Sequence, residues 1–167
     1  MTENQKENWY AAKIFYNHLP MVVKVLESNG IQWYAPTSII SSLIFFKTTI
    51  TKARELKKEN MSLFYLYMNA GRTEPAIIPD KEMEVFVFVT SSSDKGLEFL
   101  GDDKPEYHQG DRVRVIGGMF EGVEGHIKRI RKDRRLIVTL NGVAAVATSF
   151  IPPALLEKIP DSGSSPE

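Results

Sequence analysis

The sequence predicts an α+β fold in two parts, an α/β sandwich built on an antiparallel sheet and then a small all-β barrel. Three observations predict it. Residues 9–90 alternate strand-like and helix-like runs, whereas Arg112–Val115 has the two-residue period of a half-buried strand and, after a charged turn at 131–135, Leu136–Leu140 reads as a second such run. Gly117, Gly118, Gly122 and Gly125 then place four glycines within nine residues, which suits tight turns and forbids a helix.

In order along the chain, residues 1–8 are polar and read as a disordered tail. Trp9 to Tyr16 is aromatic-rich, a first strand. Asn17 and Pro20 open a helix that Gly30 closes, and Leu19, Val22, Val23 and Leu26 give it one apolar face. Residues 31–35 and 43–49 read as strands, 51–60 as a charged helix and 63–68 as a fourth strand. Asp80 to Thr90 carries both signals. Val85 to Val89 has strand propensity, but Pro79-Asp80 is a helix start and Met83, Phe86 and Val87 have helical spacing, which favours a helix. The expected boundaries are a first domain at 9–91, a polar linker at 92–108, a barrel at 109–159 and a tail at 160–167.

Formal net charge is zero, so the whole molecule has no long-range pull toward nucleic acid or anionic membrane. Charge is nonetheless concentrated locally: Lys128 to Arg135 holds six basic residues against Asp133. The absence of cysteine excludes disulfides and thiolate metal sites. No apolar run approaches the roughly 20 residues of a membrane span, and Met1 to Asn8 lacks the core of a secretion signal. A cytoplasmic monomer with no membrane partner is expected. His18, His108 and His126 are far apart in sequence, and no nucleophile or carboxylate set suggests catalysis. Neither a metal, a cofactor nor an enzyme activity is expected.

The stretch Gly110-Asp-Arg-Val-Arg-Val-Ile-Gly-Gly-Met-Phe-Glu-Gly-Val-Glu-Gly125 closely resembles the KOW module, with Gly118, Phe120, Gly122 and Gly125 as its structural positions. Trp9-Tyr10, the helix ending at Gly30, Ala35-Pro36-Thr37 and Glu74-Pro-Ala-Ile-Ile-Pro-Asp80 add the order and spacing of a NusG-family factor, an NGN domain followed by KOW. In flavour the chain is similar to the specialised UpxY-type antiterminators of Bacteroidetes. Two features depart from the family: Ile40-Ser41-Ser42-Leu43 stands where a Phe-Pro-Gly-Tyr-like turn is usual, and the loop after Thr37 is short.

The resemblance implies a non-catalytic elongation or antitermination factor. An apolar sheet face carrying Ile40, Leu43 and Phe45, with Lys13 at its rim, would bind the clamp helices of RNA polymerase. On that reading Phe45→Glu abolishes binding and barely alters melting. Lys13, His18 and Lys24 are candidates for non-template DNA, and Lys128, Arg129, Arg131 and Lys132 for nascent RNA. The tip Leu140-Asn141-Gly142-Val143 matches the ribosome-contacting position but lacks its large aromatic and arginine, which argues against ribosome coupling. The alternative is a ribosome- or RNA-binding KOW protein with a structural first domain.

Overall fold

A computed structural model describes residues 6–140 and 142–160. The expected terminal tails, at 1–5 and 161–167, and the candidate Asn141 lie outside those residues. The chain divides into two compact units, Met1–Ser91 and Ser92–Glu167.

The first unit runs β1 (Glu7–Ile14), α1 (Leu19–Ser28), β2 (Gln32–Tyr34), β3 (Leu43–Thr49), α2 (Ile50–Glu59), β4 (Phe64–Leu66) and α3 (Asp80–Thr90). Its strands form one antiparallel sheet in the order β2-β3-β1-β4. Glu7 and Asn8, expected in the tail, belong to β1, where they pair with Thr49 and Thr48. Thr49 ends β3 and caps α2, its hydroxyl accepting from the Lys52 backbone N–H at 3.2 Å.

Strand alternation sends neighbouring residues to opposite faces. On one face Tyr10, Ala12, Ile14, Ile44 and Phe46 pack with Val22 and Leu26 of α1 and Ala53 and Leu56 of α2. The other face carries Trp9, Ala11, Leu43 and Phe45, in register across β1 and β3. There α3 lies, with Phe86 against Phe45 at 5.2 Å between ring centroids, and Met83 and Val89 buried alongside. Tyr34 and Thr90 add a 2.7 Å hydrogen bond between their hydroxyls. The helix is therefore the outcome at 80–90, because its Met83-Phe86-Val89 stripe closes a sheet face that would otherwise be wet.

The second unit is a six-stranded antiparallel sheet ordered β10-β6-β7-β8-β9-β5. Its strands are β5 (Glu98–Gly101), β6 (Arg112–Val115), β7 (Glu124–Ile130), β8 (Asp133–Leu140), β9 (Ala144–Phe150) and β10 (Leu156–Lys158). The reading of 92–108 as a linker is corrected here. β5 pairs along the edge of β9, and a 3-10 turn at Pro105–His108 buries Tyr107 against Ile137, Ala145 and Ala147. The polar composition is explained by caps and clasps: Asp94 accepts from the backbone N–H of Gly96 at 2.8 Å and of Ser149 at 2.9 Å.

Candidate interaction surfaces

Leu43 and Phe45, expected on an exposed face, are sealed in the first unit at 2 % and 0 % exposure. The alternation was read rightly as apolar on both sides; the covering of the second side by α3 is what removes these residues from solvent. Ile40, in the turn before β3, stays half-buried.

What remains open on that face lies at its β4 edge. Tyr65 is 41 % exposed and stands opposite Lys13 in register, and its ring meets Tyr67 edge-on at 6.0 Å. Phe64 and Leu66 point the other way, into the core under α1 and α2. Sequence reasoning passed over Tyr65 and Tyr67. Their signal was the alternation of hydroxyl-bearing rings with pure hydrocarbon in Phe64-Tyr65-Leu66-Tyr67.

The three cationic candidates of this unit do not converge. Lys13 projects to the α3 face, Lys24 is exposed on α1 over the opposite face, and His18 sits at the N-cap of α1. Among the described residues His18 Nδ1 is buried without a hydrogen-bond partner, and its ring lies edge-on to Tyr16 at 6.1 Å. Elsewhere Arg54 on α2 grips Glu74 with two hydrogen bonds, at 2.9 and 2.7 Å. Those bonds hold the Glu74 carboxyl below its ordinary value and raise the Arg54 guanidinium.

In the second unit the glycine-rich loop closes β6 onto β7. Gly118 and Gly122 take left-handed backbone angles, φ 84° and 93°, and the Gly122 N–H donates to Val115 O at 2.8 Å. Gly125 has no room for a side chain, since a Cβ would collide with Ile137 O. Phe120 is buried beneath the loop. Beside it Met119, Phe150 and Leu155 line an open groove of about 150 Å³, with Asp94 among its lining residues.

The basic run is divided by β5. Arg131 donates to both oxygens of Glu98 at 2.7 and 3.2 Å, and Arg135 donates to the same carboxylate at 3.0 Å. Buried Arg135 also donates to Thr148 O at 2.6 Å and to Gly96 O. Burial pushes the Glu98 carboxyl up, but the bonds from Arg131 and Arg135 together outweigh it and leave it below the ordinary range. As a candidate for nucleic acid, Arg131 is therefore already engaged, whereas Lys128, Arg129 and Lys132 meet no carboxylate among the described residues.

Leu140 and Val143, the described ribosome-contact candidates, are fully buried. The hairpin they flank turns its apolar side chains inward, so neither offers a contact surface. His108 and His126, distant in sequence, come within 6.0 Å of each other, with Asp103 2.8 Å from His108 Nε2. Among the described residues no three potential ligands gather as a metal site, and no helix is long and apolar enough to cross a membrane.

No known protein family and no curated protein matches the chain by sequence. Its fold is similar to that of NusG from Thermotoga maritima, in a structure describing domain interaction in that protein, with a TM-score of 0.54 at 18 % identity. The likeness covers 93 % of this chain and 98 % of that one, so both units take part and the fold is NusG-like.

Proposed function

We propose that this chain is a non-catalytic, NusG-type transcription elongation or antitermination factor, a cytoplasmic monomer whose first unit is an NGN domain and whose second is a KOW barrel. The single observation that carries the reading is the NusG-like fold across both units. The first unit docks on the clamp helices of RNA polymerase with the β4 rim of its sheet, Tyr65 and Tyr67 with Lys13 opposite Tyr65, and Ile40 ahead of β3 adds to the contact. Support for that placement comes from chemistry: two amphipathic rings, held by the sheet and partly open to solvent, are the side chains that most often anchor protein interfaces.

A ligand that prefers one clamp state shifts the population only by its differential affinity. About 1.4 kcal/mol of preference for the closed, pause-resistant clamp changes a pause equilibrium tenfold. The resemblance to specialised paralogues further suggests service to one long operon, loaded at its leader.

The test is polymerase capture by the full chain carrying Tyr65→Ala and Tyr67→Ala. Loss of about 2 kcal/mol, roughly 30-fold in affinity, is expected, with thermal melting little changed. Undiminished capture by a folded double variant refutes the rim as the docking surface. Failure of the unaltered chain to capture polymerase refutes the function.

A further inference from the structure

The chain that joins the two units is tied down almost as soon as it leaves the first. Ser91 closes α3, its backbone N–H donating to Val87 O at 2.9 Å. Three residues on, Asp94 is already fixed to the second unit by the Ser149 N–H at 2.9 Å. From there the segment runs docked. Arg135 donates to Gly96 O, Glu98 takes both Arg131 and Arg135, and β5 pairs with β9 from Glu98 opposite Ala147 to Gly101 opposite Ala145. The next fixed point is Asp103, which accepts from the Gly142 N–H at 3.0 Å and lies 2.8 Å from His108 Nε2. Fixation deepens along the way: every residue of β5 is half-buried, whereas the Asp103 side chain is 5 % exposed and Tyr107 is buried.

We propose that residues 94–101 are a releasable strap that sets how far apart the two units can work. With the strap docked, Ser91 to Asp94 is three residue steps, at most about 10 Å of chain. With it released, the span runs from Ser91 to Asp103, twelve steps and about 40 Å at full stretch. As flexible chain that span averages roughly 19 Å. The clasp is built to open without unfolding the barrel. β5 is the end strand of its sheet, so its departure breaks one ladder only. Arg131 and Glu98 are 73 % and 29 % exposed, within reach of salt and competing ions. Arg135 also donates to Thr148 O at 2.6 Å, so its buried guanidinium keeps a partner after Glu98 leaves. Openings of this local kind require less free energy than global unfolding. Two partner sites within the short span are bridged at high effective concentration with the strap down. Sites farther apart are bridged only after release, with affinity lowered by the fraction of chains whose strap is undocked. The inference holds whatever each unit binds and so stands apart from the polymerase reading.

The experiment is double electron–electron resonance on the full chain. The sequence has no cysteine, so two introduced ones are unique spin-label sites. Lys57→Cys on α2 and Lys132→Cys in the β7–β8 turn are exposed positions outside the clasp. In the wild-type background the short span sets the longest separations. Glu98→Lys turns the clasp into repulsion and is expected to add a component extending about 30 Å farther, the difference between the two spans. The isosteric double variant D94N/E98Q is expected to add the same component at lower population, with circular-dichroism melting and backbone NMR of residues 112–150 showing the barrel folded. Distributions unchanged in both variants overturn the proposal and make β5 a permanent part of the barrel. So does a wild-type distribution that already holds the long component, because the clasp then limits nothing. Loss of the barrel fold in Glu98→Lys, with no long component in D94N/E98Q, overturns it equally: the strap would be inseparable from the barrel.

Discussion

Truncating Phe45 to alanine separates a buried packing role from an exposed docking role. The ring is fully sealed, 5.2 Å from Phe86 and inclined to it by 60°. Its removal forfeits the transfer free energy of the ring and leaves a cavity between sheet and helix, about 3–5 kcal/mol for Phe→Ala. The tilted ring pair accounts for about 0.5–1.5 kcal/mol of that. In a unit of this size each kcal/mol moves the transition by about 4–8 °C, so Tm should fall by roughly 12–40 °C. Trp9 and Trp33 are the two tryptophans of the chain and both lie in the first unit, so tryptophan fluorescence follows this unit alone. Phe45→Glu should be at least as damaging, since it places a charge where no partner waits. A melt of Phe45→Glu within a few degrees of wild type would refute the reasoning, and would mean that α3 does not cover this face.

Further outcomes follow from the same contacts. Tyr65→Ala alone should change first-unit stability by no more than about 0.5 kcal/mol in urea unfolding, as expected for an exposed position. Gly125→Ala should destabilise the second unit by about 1–3 kcal/mol, because the added methyl meets Ile137 O at the β7–β8 pairing; far-ultraviolet circular dichroism of the melt checks it. Because the Glu98 carboxyl is held below its unfolded value near 4.5, its contribution is present above that pH and is lost as pH falls through the depressed folded value. Hydrogen exchange at β5 should accordingly accelerate in acid, and Glu98→Gln should flatten that acid response. Arg135→Ala strips donors from Glu98, Thr148 O and Gly96 O together, and exchange at residues 96–101 should lose protection at neutral pH.

Local signals were enough for much of the fold. β3 and α3 begin and end where the residues predict, because β-branched and aromatic residues fill Leu43–Thr49 and a proline precedes Asp80. β5 was illegible for the opposite reason. Gly-Leu-Glu-Phe-Leu-Gly has a short apolar core, and its strand exists through pairing with β9 and the grip of Arg135 on Glu98. The same non-local logic hid the fate of Leu43 and Phe45: period-two alternation shows that both sides of a strand are greasy, but not which helix lies on either. Cation partners are set by tertiary contact too, which is why a run of six read as one patch divides into two groups once Glu98 arrives from a strand 33 residues before Arg131 and 37 before Arg135.

The clasp on β5 also bears on how the halves can be produced separately. A fragment begun near Pro105, where composition invites a cut, would peel away the last strand and leave the long flank of β9 bare. Bare flanks of that kind recruit other chains. Starting instead at Ser92 keeps the guard strand, Asp94 and Glu98 together, and clumping of the shorter fragment should not be mistaken for a property of the intact protein.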